Sequence, residues 1–250
     1  STQRPKRNGA SSTPSIERTA RIVRSSGKKL HVRVTLTPDS IQAQPQIARY
    51  ICESLQPELI HVEMAYLGGR QKEPTLLSAS QINKFVEAFL TAKKIAASYH
   101  VHWFMSGSRP SEIHGAYCNP FRQVLNLIPG GISTACFKTV NRYQISQNHF
   151  ITGWYDQGAD QFNLNDQQIA HFSEEYQKPQ ICQQCFLEYQ CTHGCPDSCP
   201  VQKEPVSSSL CKISQQIACN SIYQVSTQIV FPSPTAIASG YAFSPFDWQP

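Results

Sequence analysis

Five cysteines lie close together in the second half of this chain, and their spacing constrains its structure more than any other feature. The chain has 250 residues and ten cysteines, and half of the cysteines fall within 18 residues: Cys182, Cys185, Cys191, Cys195 and Cys199. CxxC and CxxxC spacings bring several thiolates to one point, which a metal requires and a disulfide network does not. The spacing therefore predicts a metal centre.

Two further cysteines extend the pattern towards iron–sulfur clusters. Cys118 and Cys136 enclose Gly131 in the order C-x12-G-x4-C, and a Pro-Gly-Gly turn between them is expected to present both at the same end of two short strands. An iron–sulfur cluster takes four thiolates, several from one loop and one from a distant cysteine. Zinc could use the same CxxC pairs but would leave the GxxxxC half unexplained. A disulfide-stabilised extracellular protein is a third reading.

The charge distribution and the hydropathy of the chain indicate which of three partners it can have: nucleic acid, an acidic peptide or a membrane. The formal net charge is +5, but residues 1–29 hold eight basic residues and one acid, so that segment carries +7 and the remainder −2. A basic segment of this kind can touch nucleic acid or an acidic peptide, although a solvated helix and loop is the simpler reading, and nucleic acid is not a favoured partner. No apolar run is long enough for a membrane span and no secretory signal opens the chain, so we expect a cytoplasmic protein.

Alternating patterns divide the chain into two units. Strands are predicted near 30–37, 58–66 and 100–105, with helices near 16–25, 45–55 and 80–98, which is the order of parallel βαβ units. The pattern changes near residue 115. After it come short strands near 123–128 and 132–137, one helix near 166–176, the cysteines and an irregular tail. We therefore expect domains at 1–115 and 116–250.

One face of the three strands is polar. Val32, Val34 and Leu36 form an apolar face suited to packing under helices, and the opposite face carries polar side chains. From this alternation we expect four residues to line the cavity that holds a cofactor or substrate: Arg33, Thr35, Glu63 and His102. The alternative is that these polar side chains lie on an edge strand that faces water, and for each residue taken singly it accounts for the polar position equally well.

The ordered cysteine pattern, C…Gx4C…CxxCx5CxxxC…C over about residues 116–220, resembles the SPASM domain at the C-terminus of many radical S-adenosylmethionine enzymes. The strand–helix repeats before residue 115 resemble, less specifically, the second half of the radical S-adenosylmethionine partial barrel. The resemblance implies an α/β fold: the C-terminal part of a partial, TIM-like (β/α) barrel followed by a small α+β iron–sulfur domain.

The resemblance also implies a set of ligands. One auxiliary [4Fe–4S] cluster would be held by Cys118, Cys136 and Cys195. A second would be held by the four remaining cysteines of the pattern: Cys182, Cys185, Cys191 and Cys211. Some relatives have a further cysteine where this chain has Val124, so the first cluster has an open iron or takes Cys199 or an external ligand. Some relatives carry an acid, as general base, where this chain has Phe137.

The function that the resemblance implies is part of a radical enzyme that modifies a peptide or protein substrate. S-adenosylmethionine and a third [4Fe–4S] cluster would belong to a CxxxCxxC loop, which these 250 residues lack, so we expect the missing first half of the barrel upstream or on another chain. A reductant such as flavodoxin or ferredoxin would supply electrons. The alternative is a non-enzymatic, metal-stabilised module that binds peptides. Outside the pattern, Cys52 and Cys219 are each expected to be buried as small hydrophobes.

Overall fold

The fold was obtained as a computed structural model. It describes residues 5–65, 77–108, 112–113, 125–139, 150–175, 180–191 and 208–226. Several predicted ligands fall outside these ranges: Cys118, Cys195 and Cys199. Two sheets, one parallel and one antiparallel, organise the described part of the chain.

The first sheet is parallel and has three strands in sequential order: β1 (His31–Leu36), β2 (Leu59–Met64) and β3 (His102–Met105). In its register Arg33 pairs with His61, Thr35 with Glu63, and Leu59 with His102. A parallel pair needs a crossover, and helices supply it here, as in (β/α) barrels. Alternation therefore gives this sheet one apolar face and one polar face.

Helices cover the apolar face. Helix α1 (Thr13–Ser25) precedes β1, and α2 (Gln44–Tyr50), which continues as a π-helical turn (Ile51–Leu55), lies between β1 and β2. Helix α3 (Ala79–Ser98) leads into β3, and its N-terminus is fixed by a capping box between Ser78 and Gln81. Its buried side chains, with Phe85 and Phe89 among them, pack on the strands and make the core of this unit together with Trp103 of β3.

The second sheet is an antiparallel meander of four strands: β4 (Asn126–Ile128), β5 (Ile132–Thr134), β6 (Ile151–Asp156) and β7 (Gln161–Leu164). The turn between β4 and β5 places Gly130 at φ 93° and Gly131 at φ 69°, a conformation that L side chains rarely adopt. This is the predicted Pro-Gly-Gly turn, and Cys136 follows the second of its two strands.

Three helices complete the described structure: α4 (Asp166–Glu175), the short α5 (Gln180–Gln183) and α6 (Ser209–Ser226). Helix α6 follows the cysteine loop in sequence but packs on the first unit, because Ile213 and Ile217 are buried in the core of the parallel sheet. No helix in the described ranges combines the length and the apolar character that a membrane crossing needs.

The structure differs from the sequence prediction at several element boundaries. Helix α1 begins at Thr13 rather than near residue 16, because Pro14 is compatible with the first helical turn. Strand β3 begins only at His102, since His100 has a left-handed φ of 60° and belongs to the preceding turn. Four elements were not predicted: β6, β7, α5 and α6. Cys52 is buried in the core as expected, whereas Cys219 is exposed, so the prediction for Cys219 was wrong.

Candidate functional site

The polar face of the parallel sheet carries the four residues predicted to line a cavity. Arg33, Thr35 and His102 are exposed there, while Glu63 is buried. None of the four belongs to the hydrophobic core under the helices. The sheet register sets Thr35 beside Glu63, so these two predicted residues share one row near the C-terminal ends of their strands. Ligands of open α/β sheets bind at such strand ends.

Glu63 is the centre of a hydrogen-bonded group that also contains His61 and Ser106. The His61 Nε2 atom lies 2.7 Å from Glu63 Oε1 and 2.7 Å from Ser106 Oγ. The Ser106 backbone N–H donates a further bond to the same Glu63 oxygen at 3.0 Å. A buried carboxylate needs such donors, because a charge taken out of water without partners is costly. These bonds hold the end of β2 to the loop that follows β3.

The geometry orients the His61 ring. An ionised carboxylate only accepts hydrogen bonds, so beside a charged Glu63 the His61 Nε2 atom is the donor, and in the neutral ring Nδ1 is left as an acceptor. The ring also stacks on Phe104 with centroids 4.6 Å apart and planes 9° apart. The His61 side chain is 22% exposed, so part of the ring lies on the open, polar face of the sheet. We call His61, Glu63 and Ser106 the strand-end triad.

Sequence reasoning identified only one member of this triad as a site residue. His61 shares the polar alternation of Glu63, so the signal for it was present in β2. Ser106 lies beyond the last residue of β3, and only the three-dimensional course of the loop brings it to His61. A parallel register is needed to place these residues together, and alternation alone does not fix it.

The described cysteines of the predicted second cluster lie on two segments. Cys182 is in α5, and the Cys185 N–H donates to the Cys182 carbonyl at 3.2 Å in a single turn. The Cys191 N–H donates to the carbonyl of Leu187 at 2.9 Å, and Leu187 is buried and anchors this loop. The fourth cysteine, Cys211, lies in the first turn of α6.

Polar side chains on α6 and directly before it contact two of the cysteine sulfurs. Ser208 Oγ accepts from the Cys211 N–H at 3.3 Å and lies 3.3 Å from Cys211 Sγ. The Gln215 side-chain amide donates to Cys185 Sγ at 3.4 Å. Because Gln215 is one helical turn from Cys211, this bond docks the cysteine loop against the face of α6 that bears Cys211.

The chemistry of the donor set fits an iron–sulfur cluster. Four cysteines lie on a turn and at a helix N-terminus, and an amide and a hydroxyl group contact two of their sulfurs, as second-shell groups of metal centres do. Among the residues that the structure describes, no three His, Cys, Asp or Glu side chains form a ready-made metal site. Metal binding organises its own ligands, so the thiolates would converge when the metal binds.

The cysteines predicted to hold the first cluster are only partly described. Cys136 is buried, and its N–H donates to Thr134 Oγ1 at 3.1 Å. Cys118 and Cys195 lie outside the described residues, as do Val124 and Cys199. Phe137, which occupies the position of the general base in some relatives, has an exposed side chain without titratable chemistry.

Comparison with known proteins bears on the fold. No protein-family model matches the chain, and no curated protein matches it. Among solved structures, the chain is similar to hexahistidine-tagged anSMEcpe with bound AdoMet, an anaerobic sulfatase-maturating radical S-adenosylmethionine enzyme with a SPASM domain. The TM-score is 0.58 at 13% identity, over 94% of this chain and 64% of that one. The chain has a radical S-adenosylmethionine/SPASM-like fold.

Two related structures agree with this result. Native anSMEcpe with bound AdoMet and a Kp18Cys peptide matches with a TM-score of 0.56 at 13% identity, over 90% of this chain and 65% of that one. The form with a Cp18Cys peptide matches with a TM-score of 0.57 at 11% identity, over 90% and 66%. The chain thus spans slightly less than two thirds of the first two structures. At such identities the likeness establishes the fold, and it confirms the predicted fold class.

Proposed function

We propose that this chain is part of a radical S-adenosylmethionine enzyme that modifies a peptide or protein substrate. The observation that carries the proposal is the strand-end triad on the open, polar face of a parallel sheet with this fold. Two auxiliary [4Fe–4S] clusters would serve electron transfer or substrate anchoring. Residues 1–115 would belong to the partial barrel and residues 116–250 to the cluster domain.

The polar face would hold S-adenosylmethionine or the substrate. Arg33 and His102 offer hydrogen-bond donors to a carboxylate, while Glu63 offers an acceptor to an ammonium group. His61 would hold or move a proton at Nδ1 while Glu63 keeps its ring oriented. When bound, S-adenosylmethionine and its cluster supply the radical that abstracts hydrogen from the substrate, and flavodoxin or ferredoxin would supply the electron.

The cysteines would hold the auxiliary clusters in the arrangement that the sequence pattern implies. Cys118, Cys136 and Cys195 would hold one cluster with an open iron. Four cysteines would close the other: Cys182, Cys185, Cys191 and Cys211. Four thiolates leave no free coordination position, whereas three leave one iron able to accept a substrate group, as catalytic metals do.

Metal analysis tests the cluster part of the proposal. Anaerobic reconstitution of the chain should give about eight irons and matching sulfide, as two cubane clusters require. Cys211→Ser should lose about four irons, one cluster's worth. Cys219→Ser is the matched control, because Cys219 is exposed on the same helix and should leave the iron content unchanged. Stoichiometric zinc without sulfide would overturn the cluster assignment.

A second pair of variants tests the open iron. Cys195→Ala should lose about four irons, whereas Cys199→Ala should leave the iron content nearly unchanged. If Cys199→Ala removes a whole cluster, that residue is the fourth ligand and the open position does not exist. If neither change alters the iron content, the assignment of ligands is wrong.

The second candidate function is a non-enzymatic, metal-stabilised module that binds peptides. It is favoured by one observation: these 250 residues contain no CxxxCxxC sequence. The two functions differ in a reaction product. The protein supplied with the first half of its barrel, S-adenosylmethionine and a reductant should release 5′-deoxyadenosine if it is an enzyme, and Glu63→Gln should slow that release. A binding module would release none.

A further inference from the structure

Gln215 is a polar residue of α6 that the cluster assignment does not use. Its side-chain amide donates a hydrogen bond to Cys185 Sγ over 3.4 Å. Cys185 and Gln215 are both half-buried, so this bond is partly shielded from water. Shielding strengthens the interaction between an N–H dipole and a thiolate, since the local dielectric constant is lower than in water.

Packing fixes the position from which Gln215 acts. On one side of α6, Ile213 and Ile217 are buried in the core of the parallel sheet. At its start, the Ser209 hydroxyl accepts from the Leu77 N–H at 3.1 Å. The neighbouring Gln216 amide donates to Asn83 of α3 at 3.3 Å. The helix is therefore anchored to the barrel part, and Gln215 projects from it towards the cysteine loop.

A donor aimed at a ligand sulfur has a definite effect on an iron–sulfur cluster. Reduction adds negative charge to the cluster and its thiolates. A hydrogen bond to sulfur stabilises the reduced form more than the oxidised form and so raises the reduction potential. Without the donor, the reduced form would lose that stabilisation, while the four thiolates would still hold the iron.

We propose that Gln215 is a positioning residue that raises the reduction potential of the cluster held by Cys182, Cys185, Cys191 and Cys211. This inference rests on the proposed function, because it requires that cluster to be bound. It assigns to α6 a second role besides carrying Cys211: the helix connects the barrel part to the cluster and sets how easily the cluster takes an electron.

The test is a redox titration of the reconstituted chain followed by electron paramagnetic resonance. Gln215→Leu removes the donor and keeps a similar volume, so the midpoint potential of one cluster should fall while iron and sulfide stay at the wild-type content. Gln215→Glu places a carboxylate at the same point, and the potential should fall further because negative charge opposes reduction. Gln216→Leu is the matched control, since it removes the amide that contacts Asn83 instead, and its potentials should equal those of the wild type.

Each outcome is decisive. A Gln215→Leu variant with wild-type iron content and unchanged potentials would overturn the inference and leave the proposed function standing. If Gln215→Leu loses iron, the Gln215→Glu variant decides, because it preserves the shape of the side chain. Retained iron with a lowered potential in Gln215→Glu supports the inference. An unchanged potential or lost iron in that variant overturns it. An unmodified chain that binds no iron or sulfide would instead overturn the proposed function itself.

Discussion

The parallel sheet and the antiparallel sheet differ in how much apolar surface they bury. Among the residues that the structure describes, the core around the parallel sheet contains 21 buried hydrophobic residues, whereas the cluster beside the antiparallel sheet contains three: Ala135, Cys136 and Phe150. Large side chains on the antiparallel strands remain exposed, among them Trp154 and Leu127. The described part of the antiparallel unit thus buries little apolar surface of its own, and the metal ligation proposed for its cysteines would add to its stability.

Removing the metal should produce the largest difference between the two sheets. Chelating the reconstituted iron should open the antiparallel sheet, because metal-binding free energy, on the order of 10 kcal/mol for small structural sites, is also folding free energy. The parallel sheet should persist on its own core. Hydrogen exchange measures both: amide protection should be lost in β5 and retained in β2. Retained protection in β5 would contradict the comparison.

Phenylalanine truncation compares the two units without metal chemistry. Phe89→Ala should cost about 3–5 kcal/mol in the free energy of unfolding, because Phe89 is buried in the core and its removal leaves a cavity. Phe137→Ala is the matched control and should change that free energy by less than about 0.5 kcal/mol, since its ring is 66% exposed. Urea unfolding of both variants gives the two changes in the free energy of unfolding. Similar changes for Phe89→Ala and Phe137→Ala would contradict the prediction.

The contact between Gly107 and α6 offers a finer test. A Cβ atom added at Gly107 would lie 2.4 Å from Ser214 Oγ, which is closer than atoms can approach. Gly107→Ala should therefore destabilise the chain by about 1–3 kcal/mol, as overpacked cores are. Ser214→Ala removes the oxygen, and the Ser214 Cβ lies at an acceptable 3.5 Å. A double-mutant cycle should show that Ser214→Ala offsets the cost of Gly107→Ala, and strict additivity would exclude the contact.

The smallest predicted effect concerns the turn between β6 and β7. Hydrogen bonds from the backbone N–H groups of Ala159 and Gly158 lower the pKa of the Asp156 carboxyl below its ordinary value of 3.8. A lowered folded-state pKa contributes stability above the ordinary value, which is lost as the pH falls through the lowered pKa. The stability difference between wild type and Asp156→Asn should therefore be present near pH 7 and shrink below pH 3.8. A difference that is constant across this range would refute the assignment.

The parallel unit was largely predictable because its signals are local. Alternating β-branched residues in β1 and the periodic apolar face of α3 give the elements, and their order gives the parallel sheet. Helix α6 was missed although Leu210, Ile213 and Ile217 have helical spacing. Its partner surface lies more than a hundred residues earlier in the chain, and sequence spacing does not report such a contact.

Strands β6 and β7 and the contacts of the strand-end triad were not predicted, for other reasons. Strand β6 contains Gly153, and a glycine weakens the sequence signal for a strand. The fold nevertheless needs glycine at this position, because a Cβ atom there would lie 2.3 Å from the Asn163 carbonyl oxygen. In the triad, Glu63 was predicted from alternation, but its contact with Ser106 depends on a loop conformation that no periodicity encodes.

The packing of α6 on the parallel sheet has a consequence for synthesis on the ribosome. When residues up to Met105 have emerged, the strands and α3 are complete, but the surface that Ile213 and Ile217 cover is still exposed. That surface is apolar, and a nascent chain must keep it from other chains until α6 emerges. The cysteine loop precedes α6 in the chain, so the proposed metal ligands emerge before the core of the parallel sheet has received its cover.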